Sequence, residues 1–296
     1  MKVLILGATG YVGQAFVRYF ENRNLEYVAA SRQQIDYTRS SELRRLIEES
    51  KPTFLVNAAG YTGKPNVDAC ETDQANCLFG NAVFPGWVSE VCTEFNLPWG
   101  HVSSGCIFTG SRPDGSGFTE EDPPNFSFRQ NNCSYYSGTK ALAEEALAND
   151  PNCFIWRLRI PFNHEDSPRN YLSKLMRYST LLEARNSITH LDEFAQACSL
   201  TWEKRVPFGT YNITNTGSVL SSEVTAMIQK FLAPNKAFTF FPDEETFMQK
   251  AASAPRSNCV LDSSKLINAG IPIRPVEEAL ETSLKNWIAE ASPASL

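Results

Sequence analysis

The stretch "KVLILGATGYVGQAFVRYF", residues 2–20, constrains the chain more than any other. A short apolar run suited to a strand leads straight into Gly7, Gly10 and Gly13, and a helical pattern opens among those glycines. Glycines at this spacing permit a tight turn, a close backbone approach to a pyrophosphate, and close packing of helix on strand. The helix start adds free N–H groups and the positive end of the helix dipole. Gly7, Thr9, Gly10, Tyr11, Val12 and Gly13 are therefore expected to form a dinucleotide-binding turn.

The alternation then continues. "EYVAAS", "SELRRLIEESKP", "TFLVNAAG", a long helical pattern around "ANCLFGNAVFPGWVSEVCTEFN", "PWGHVSS", "YYSGTKALAEEALAND" and "CFIWRLRI" follow in order. A β-α-β-α order of this kind predicts an α/β fold, a Rossmann-type doubly wound parallel sheet with right-handed crossovers. The Gly-, Pro-, Ser- and Asn-rich stretch 109–134 reads as a long loop, which in a compact domain points to function. After Ile160 the pattern becomes irregular, and a smaller C-terminal substrate-binding lobe is expected. The expected division is a nucleotide-binding domain over 1–162, with 187–213 returning to it. Residues 163–186 and 214–296 would form the lobe, with "ASPASL" a loose tail.

Composition narrows the partners. Hydrophobic residues at 42% and charged residues at 20% suit an ordinary globular protein, and the net charge of −6 disfavours nucleic acid. No stretch approaches 18 uninterrupted apolar residues, and the start is too short for a leader peptide, so no membrane is expected. The eight cysteines include no C-x-x-C pair and suit free thiols in a reducing, cytoplasmic compartment. His101, His164 and His190 have no ligand-like spacing, so no metal is expected.

The end of the second strand carries Ser31 and Arg32 where a ribose-binding acid would stand. Arg32 can pair with a 2′-phosphate, which favours NADPH over NADH. Asp36 is expected beside the adenine or as a cap of the next helix. Ala58, Ala59 and Gly60 offer a small-residue ledge at the end of the third strand. Tyr136 and Lys140 stand at i and i+4 in "YYSGTK" and share a helix face. The ammonium is expected to lower the phenol pKa toward neutrality, making Tyr136 a usable acid. Ser104, closing "HVSS", can hydrogen-bond the carbonyl oxygen that Tyr136 would protonate. Two residues further on, an extended chain would aim Cys106 to the same side as Ser104.

These motifs, in this order, resemble the extended short-chain dehydrogenase/reductase family over nearly the whole chain. The stretches "NAAGYTGKPNVDACE", "SSGCIF", "EEDPPNFS", "SPRNYLSKLMRY" and "APRSN" resemble its plant-type UDP-4-keto-6-deoxyglucose 3,5-epimerase/4-reductases, relatives of the dTDP-4-dehydrorhamnose reductases. The resemblance implies NADPH as cofactor, a nucleotide-sugar substrate that is UDP-linked, and a homodimer as an open expectation. It implies Cys106 and Lys174 as the epimerising pair, with acid and base unassigned, beside Ser104, Tyr136 and Lys140 for reduction. Thr62, Asn81, Asn163, Asn170 and Arg256 would contact substrate, with Arg256 neutralising the diphosphate. Two further readings stand beside this one: a reductase that does not epimerise, and a silent NADP-binding partner subunit. The motif's tryptophan is Ala69 here, and the loop 126–134 departs from the family pattern.

Overall fold

The structure, a computed structural model, describes residues 2–64 and 66–289; the tail "ASPASL" lies outside them. In chain order the nucleotide-binding half runs β1 (Lys2–Leu6), α1 (Tyr11–Asn22), β2 (Glu26–Ala30), α2 (Ser40–Ser50) and β3 (Phe54–Asn57). Next come α3 (Ala69–Thr72), α4 (Gln74–Leu78), a π-helical turn (Phe79–Val83), α5 (Phe84–Glu94) and β4 (Trp99–Ser104). A 3-10 turn (Gly105–Ile107) precedes α6 (Tyr135–Leu147) and β5 (Cys153–Leu158).

The remainder holds β6 (Pro161–Phe162), α7 (Tyr171–Arg177), β7 (Arg185–Asn186), β8 (Thr189–His190), α8 (Leu191–Glu203) and β9 (Gly209–Asn212). It ends with β10 (Val219–Leu220), α9 (Ser221–Phe231), α10 (Glu244–Ala251), α11 (Ser264–Asn268) and α12 (Val276–Lys285).

Six parallel strands form one sheet in the order β2-β1-β3-β4-β5-β9. The fold is α/β with a parallel central sheet, as the alternating pattern predicts. Alternation along β1 builds both faces. Val3 and Ile5 join Phe16, Phe54, Trp156 and Phe194 in one core layer, under α1 and α8. Leu4 and Leu6 join Leu43, Ile47, Phe84, Val88 and Trp99 in the other, under α2 and α5. Each fully buried side chain of this size contributes roughly 1.5–3 kcal/mol. Packing is tight enough that a Cβ added at Gly100 would fall 2.0 Å from the Trp156 ring.

The returning segment has a simple cause. Helix α8 carries β9 across the sheet, where it pairs in parallel with β5 from Phe154 opposite Gly209 to Arg157 opposite Asn212. A separate apolar core unites Phe162, Leu172, Leu175, Ile188, Val224, Ile228, Val276 and Leu280 from the C-terminal elements. One expected element is interrupted. The long helix read over 75–96 passes through the π turn at 79–83, because Pro85 stands at the start of α5 with no N–H to donate to residue 81.

Candidate active site

The glycine turn forms a cradle with no room for side chains. Gly7 has φ +77°, and a Cβ there would sit 2.7 Å from the Ala59 backbone; one at Gly13 would sit 2.1 Å from the Gly7 carbonyl oxygen. Helix α1 starts at Gly10 without a side-chain cap and without an acidic residue in its first turn. Thr9 and Gly10 are exposed, Tyr11 and Val12 half-buried. Uncapped N–H groups beside bare backbone fit a pyrophosphate, and Ala58, Ala59 and exposed Gly60 line the adjoining ledge. Arg32 is exposed and forms no hydrogen bond or salt bridge to a described residue, which leaves its guanidinium available to a 2′-phosphate. Asp36 accepts from Thr38, pairs with Arg39 at 3.2 Å, and is held below the usual carboxylate range chiefly by that threonine bond. Tyr11 donates to Asn163 Oδ1 at 3.4 Å, and burial pushes its phenol up.

Helix α6 brings Tyr136 and Lys140 to the end of β4. Ser134 caps the helix by accepting from Ser137 N at 3.2 Å. Lys140 is 5% exposed and donates to the Val102 carbonyl at 2.9 Å; burial pushes its ammonium pKa down. The Ser104 hydroxyl lies beside the Tyr136 phenol and acts to lower its pKa. The phenol is not lowered as the Tyr–Lys spacing suggests. Desolvation, then the neighbouring thiols Cys106, Cys70 and Cys77, hold it well above its usual value, opposed by the Ser104 hydroxyl.

Cys106 does not continue an extended strand. The chain turns into the 3-10 helix at Gly105, and Cys106 N donates to Ser104 Oγ at 3.2 Å. The thiol still meets Ser104, because the turn folds back over the serine. It lies in an apolar nest with Ile107, Phe108, Phe118, Ala141, Cys259 and Leu261, against which Tyr136 packs. Burial pushes the thiol up, opposed by hydrogen bonds with Ser104 and Ser137 and by the charges of Arg159 and Lys140.

The substrate-side candidates fall into two groups. Lys174, on α7, is half-buried; burial, then the charges of Arg169 and Arg256, push its ammonium down. Arg256 is engaged bidentately by Asp68, with the second bond at 2.7 Å, and Arg169 donates to the Gly63 carbonyl at 2.8 Å. Thr62 is exposed on the loop after β3, next to Gly63. No contact joins Lys174 to Cys106 among the described residues. The buried asparagines are held internally. Asn170 caps α7 and donates to Asn163 Oδ1 at 2.9 Å, and Asn81 bridges Tyr61 N and O at 2.8 Å each and reaches Thr139.

Several groups had no sequence signal. Glu144 and Arg157 form a buried pair at 2.7 Å beneath Lys140, with Ser103 donating to Glu144 at 2.5 Å. His164, His190 and Asp192 place ligand-type atoms within 4.8 Å of one another, although His164 is remote in sequence from the other two. Arg159 sits buried beside the 3-10 turn. Each arises from chain crossings that spacing cannot reveal.

A family profile described as the RmlD substrate binding domain matches residues 1–288. The chain belongs to that family. Among RmlD-type relatives, an Arabidopsis thaliana bifunctional dTDP-4-dehydrorhamnose 3,5-epimerase/dTDP-4-dehydrorhamnose reductase is 36% identical, over 94% of this chain and 90% of its own. A trifunctional UDP-glucose 4,6-dehydratase/UDP-4-keto-6-deoxy-D-glucose 3,5-epimerase/UDP-4-keto-L-rhamnose-reductase from the same plant is 35% identical over 95% of this chain. The chain spans 41% of that longer relative. The crystal structure of a UDP-rhamnose synthase from Acanthamoeba polyphaga mimivirus superposes with a TM-score of 0.87 at 27% identity, covering 97% of this chain and 99% of the other.

Proposed function

We propose that the chain is an NADPH-dependent 4-reductase of a nucleotide-linked 4-keto-6-deoxyhexose that also epimerises C3 and C5. In its specific form it converts UDP-4-keto-6-deoxy-D-glucose to UDP-L-rhamnose. The observation that carries this reading is the gathering of Ser104, Cys106, Tyr136 and Lys140 at the end of β4. Two Arabidopsis thaliana relatives at 35% and 36% identity support it, since both are named for the epimerase and reductase steps together.

When bound, NADPH supplies a hydride to C4. Tyr136 is the acid that protonates the C4 oxygen, and its high pKa keeps the proton in place until charge develops there. Ser104 polarises the same oxygen, and Lys140 fixes the end of β4 through Val102. Before reduction, the ketone acidifies the hydrogens on C3 and C5. Inverting each centre takes a proton from one face and returns one to the other, while Ser104 and Tyr136 stabilise the enolate oxygen. Cys106 and Lys174 serve the two faces. Both are held toward their neutral forms, the thiol raised and the ammonium lowered, so either can exchange a proton with carbon.

Incubation with UDP-4-keto-6-deoxyglucose in deuterated water without NADPH tests the epimerase half. Deuterium is expected at C3 and C5. A chain that reduces pre-epimerised substrate yet exchanges neither hydrogen is a reductase alone. Running UDP- and dTDP-linked sugars side by side decides the base.

A further inference from the structure

Arg159 follows β5 and is only 6% exposed, yet it faces no carboxylate among the described residues. Its Nη2 donates to Asn186 Oδ1 at 2.7 Å and to the Ser257 carbonyl, both neutral, and its Nε has no partner. A buried guanidinium without a counter-ion is unfavourable and invites an anion that forms only during function. The backbone holds it there under strain. Ile160, next in the chain, has φ +39°, a region that a β-branched side chain rarely enters, while Arg159 N is tied to Thr189 Oγ1 at 2.9 Å. The stem of Arg159 packs on the turn that carries Cys106, with its Cδ 3.5 Å from where a Gly105 Cβ would stand.

We propose that Arg159 is the positioning residue that stabilises the Cys106 thiolate formed during epimerisation, acting through the sulfur rather than on the sugar. This rests on the epimerase reading above. In one direction Cys106 takes the proton from carbon and begins as thiolate; in the other it gives its proton to the enolate carbon and ends as thiolate. Either way one S–H bond is exchanged for one C–H bond, and the negative charge rests on sulfur in an apolar nest. The groups facing that sulfur are Ser104, Tyr136, Ser137 and Lys140 from β4 and α6, Cys133 from the loop before α6, and Arg159. Lys140 is already committed to the Val102 carbonyl. Cys259, the other thiol beside Arg159, donates to the Gly105 carbonyl at 3.3 Å, and burial pushes it up against the opposing charge of Arg159. Arg159 is the cation beside this turn that faces no carboxylate among the described residues and keeps its Nε unpartnered.

The test combines Arg159→Gln, Arg159→Lys and wild type. Mass spectrometry of the Cys106 peptide after iodoacetamide pulses across pH gives the midpoint of thiolate formation. Arg159→Gln should raise that midpoint by about one pH unit, which is about tenfold less thiolate below it. Arg159→Lys should fall between. Deuterium exchange at C3 and C5 should drop about tenfold in Arg159→Gln, while reduction of pre-epimerised substrate by NADPH stays within about twofold. If Arg159→Gln does not fold, Arg159→Lys carries the same comparison. An unmoved midpoint, or exchange and reduction falling together, overturns the assignment. Wild type that shows no exchange removes the epimerase reading, while the midpoint still decides whether Arg159 governs the thiol.

Discussion

Tyr136, Ser104 and Cys106 share one small volume, so their variants should separate cleanly. Tyr136→Phe keeps the ring that packs on the nest and removes the acid. Its kcat for reduction should fall roughly 10²- to 10⁴-fold with NADPH affinity unchanged, as read by steady-state kinetics and cofactor titration. Cys106→Ala should lose exchange at C3 and C5 yet still reduce pre-epimerised substrate; loss of both would place the thiol in the hydride step. Arg32→Ala should narrow the ratio of kcat/KM for NADPH over NADH, and an unchanged ratio would remove Arg32 from the 2′-phosphate. The positions of Ser104 at the end of β4 and of Tyr136 and Lys140 on one helix were legible because strand-end position and i,i+4 spacing are local properties. The direction of the Tyr136 shift was not, since it depends on burial and on thiols delivered by Cys70 and Cys77 from other helices. Arg159 was invisible for the same reason: nothing in "RLRI" states that its partners are Asn186 and Ser257.

At the scale of elements, the glycine turn between β1 and α1 and the parallel α/β sheet followed from pattern, because glycine spacing and alternating strands and helices encode them directly. The breaks in regularity did not. The 3-10 turn at 105–107 depends on Ser104 accepting from Cys106 N, and the π turn at 79–83 on Pro85 beyond it. Asn163 and Asn170 illustrate the limit: both are fully buried and bonded to one another, a state that motif position cannot distinguish from sugar contact. The cradle gives the element-scale prediction. Gly13→Ala places a methyl 2.1 Å from the Gly7 carbonyl oxygen, inside any allowed separation. The turn must shift, so cofactor affinity should fall more than tenfold in a fluorescence titration while the far-UV spectrum keeps its α/β form; unchanged affinity would place the pyrophosphate elsewhere.

At the scale of the whole molecule, two buried features bind the site to global stability. The Glu144–Arg157 pair lies beside Lys140 and accepts a hydrogen bond from Ser103, and its members are 8% and 5% exposed. Glu144→Gln strands a buried guanidinium, so urea denaturation should report a loss of about 3–5 kcal/mol. His101, fully buried in β4, has its pKa held well below 6.5 by burial and by Lys140. In the unfolded chain it takes a proton below about 6.5, whereas the folded chain stays neutral. The unfolded state then binds more protons, so stability falls as pH drops through that value, at up to about 1.4 kcal/mol per pH unit for this residue. Burial also depresses His190, which adds in the same direction. Urea midpoints at pH 7.5, 6.5 and 5.5 should show the slope, and His101→Gln should flatten it; an equal slope would shift the effect to other groups.

The nest around Cys106 joins Phe118 to Cys259 and Leu261, through ladders from Gly110 to Cys259 and Phe118 to Leu261. Those partners stand about 140 residues apart along the chain. On a ribosome adding roughly 5–20 residues per second, that distance is on the order of 7–30 s. For that interval the thiol, Phe108 and Phe118 lack the side of their enclosure that Cys259 and Leu261 supply. Newly made chains therefore pass through a stage in which the nucleotide half can already pair its first five strands while the future reaction chamber is open to solvent. That window is when a chaperone, an oxidant or a neighbouring nascent chain has its best access to Cys106.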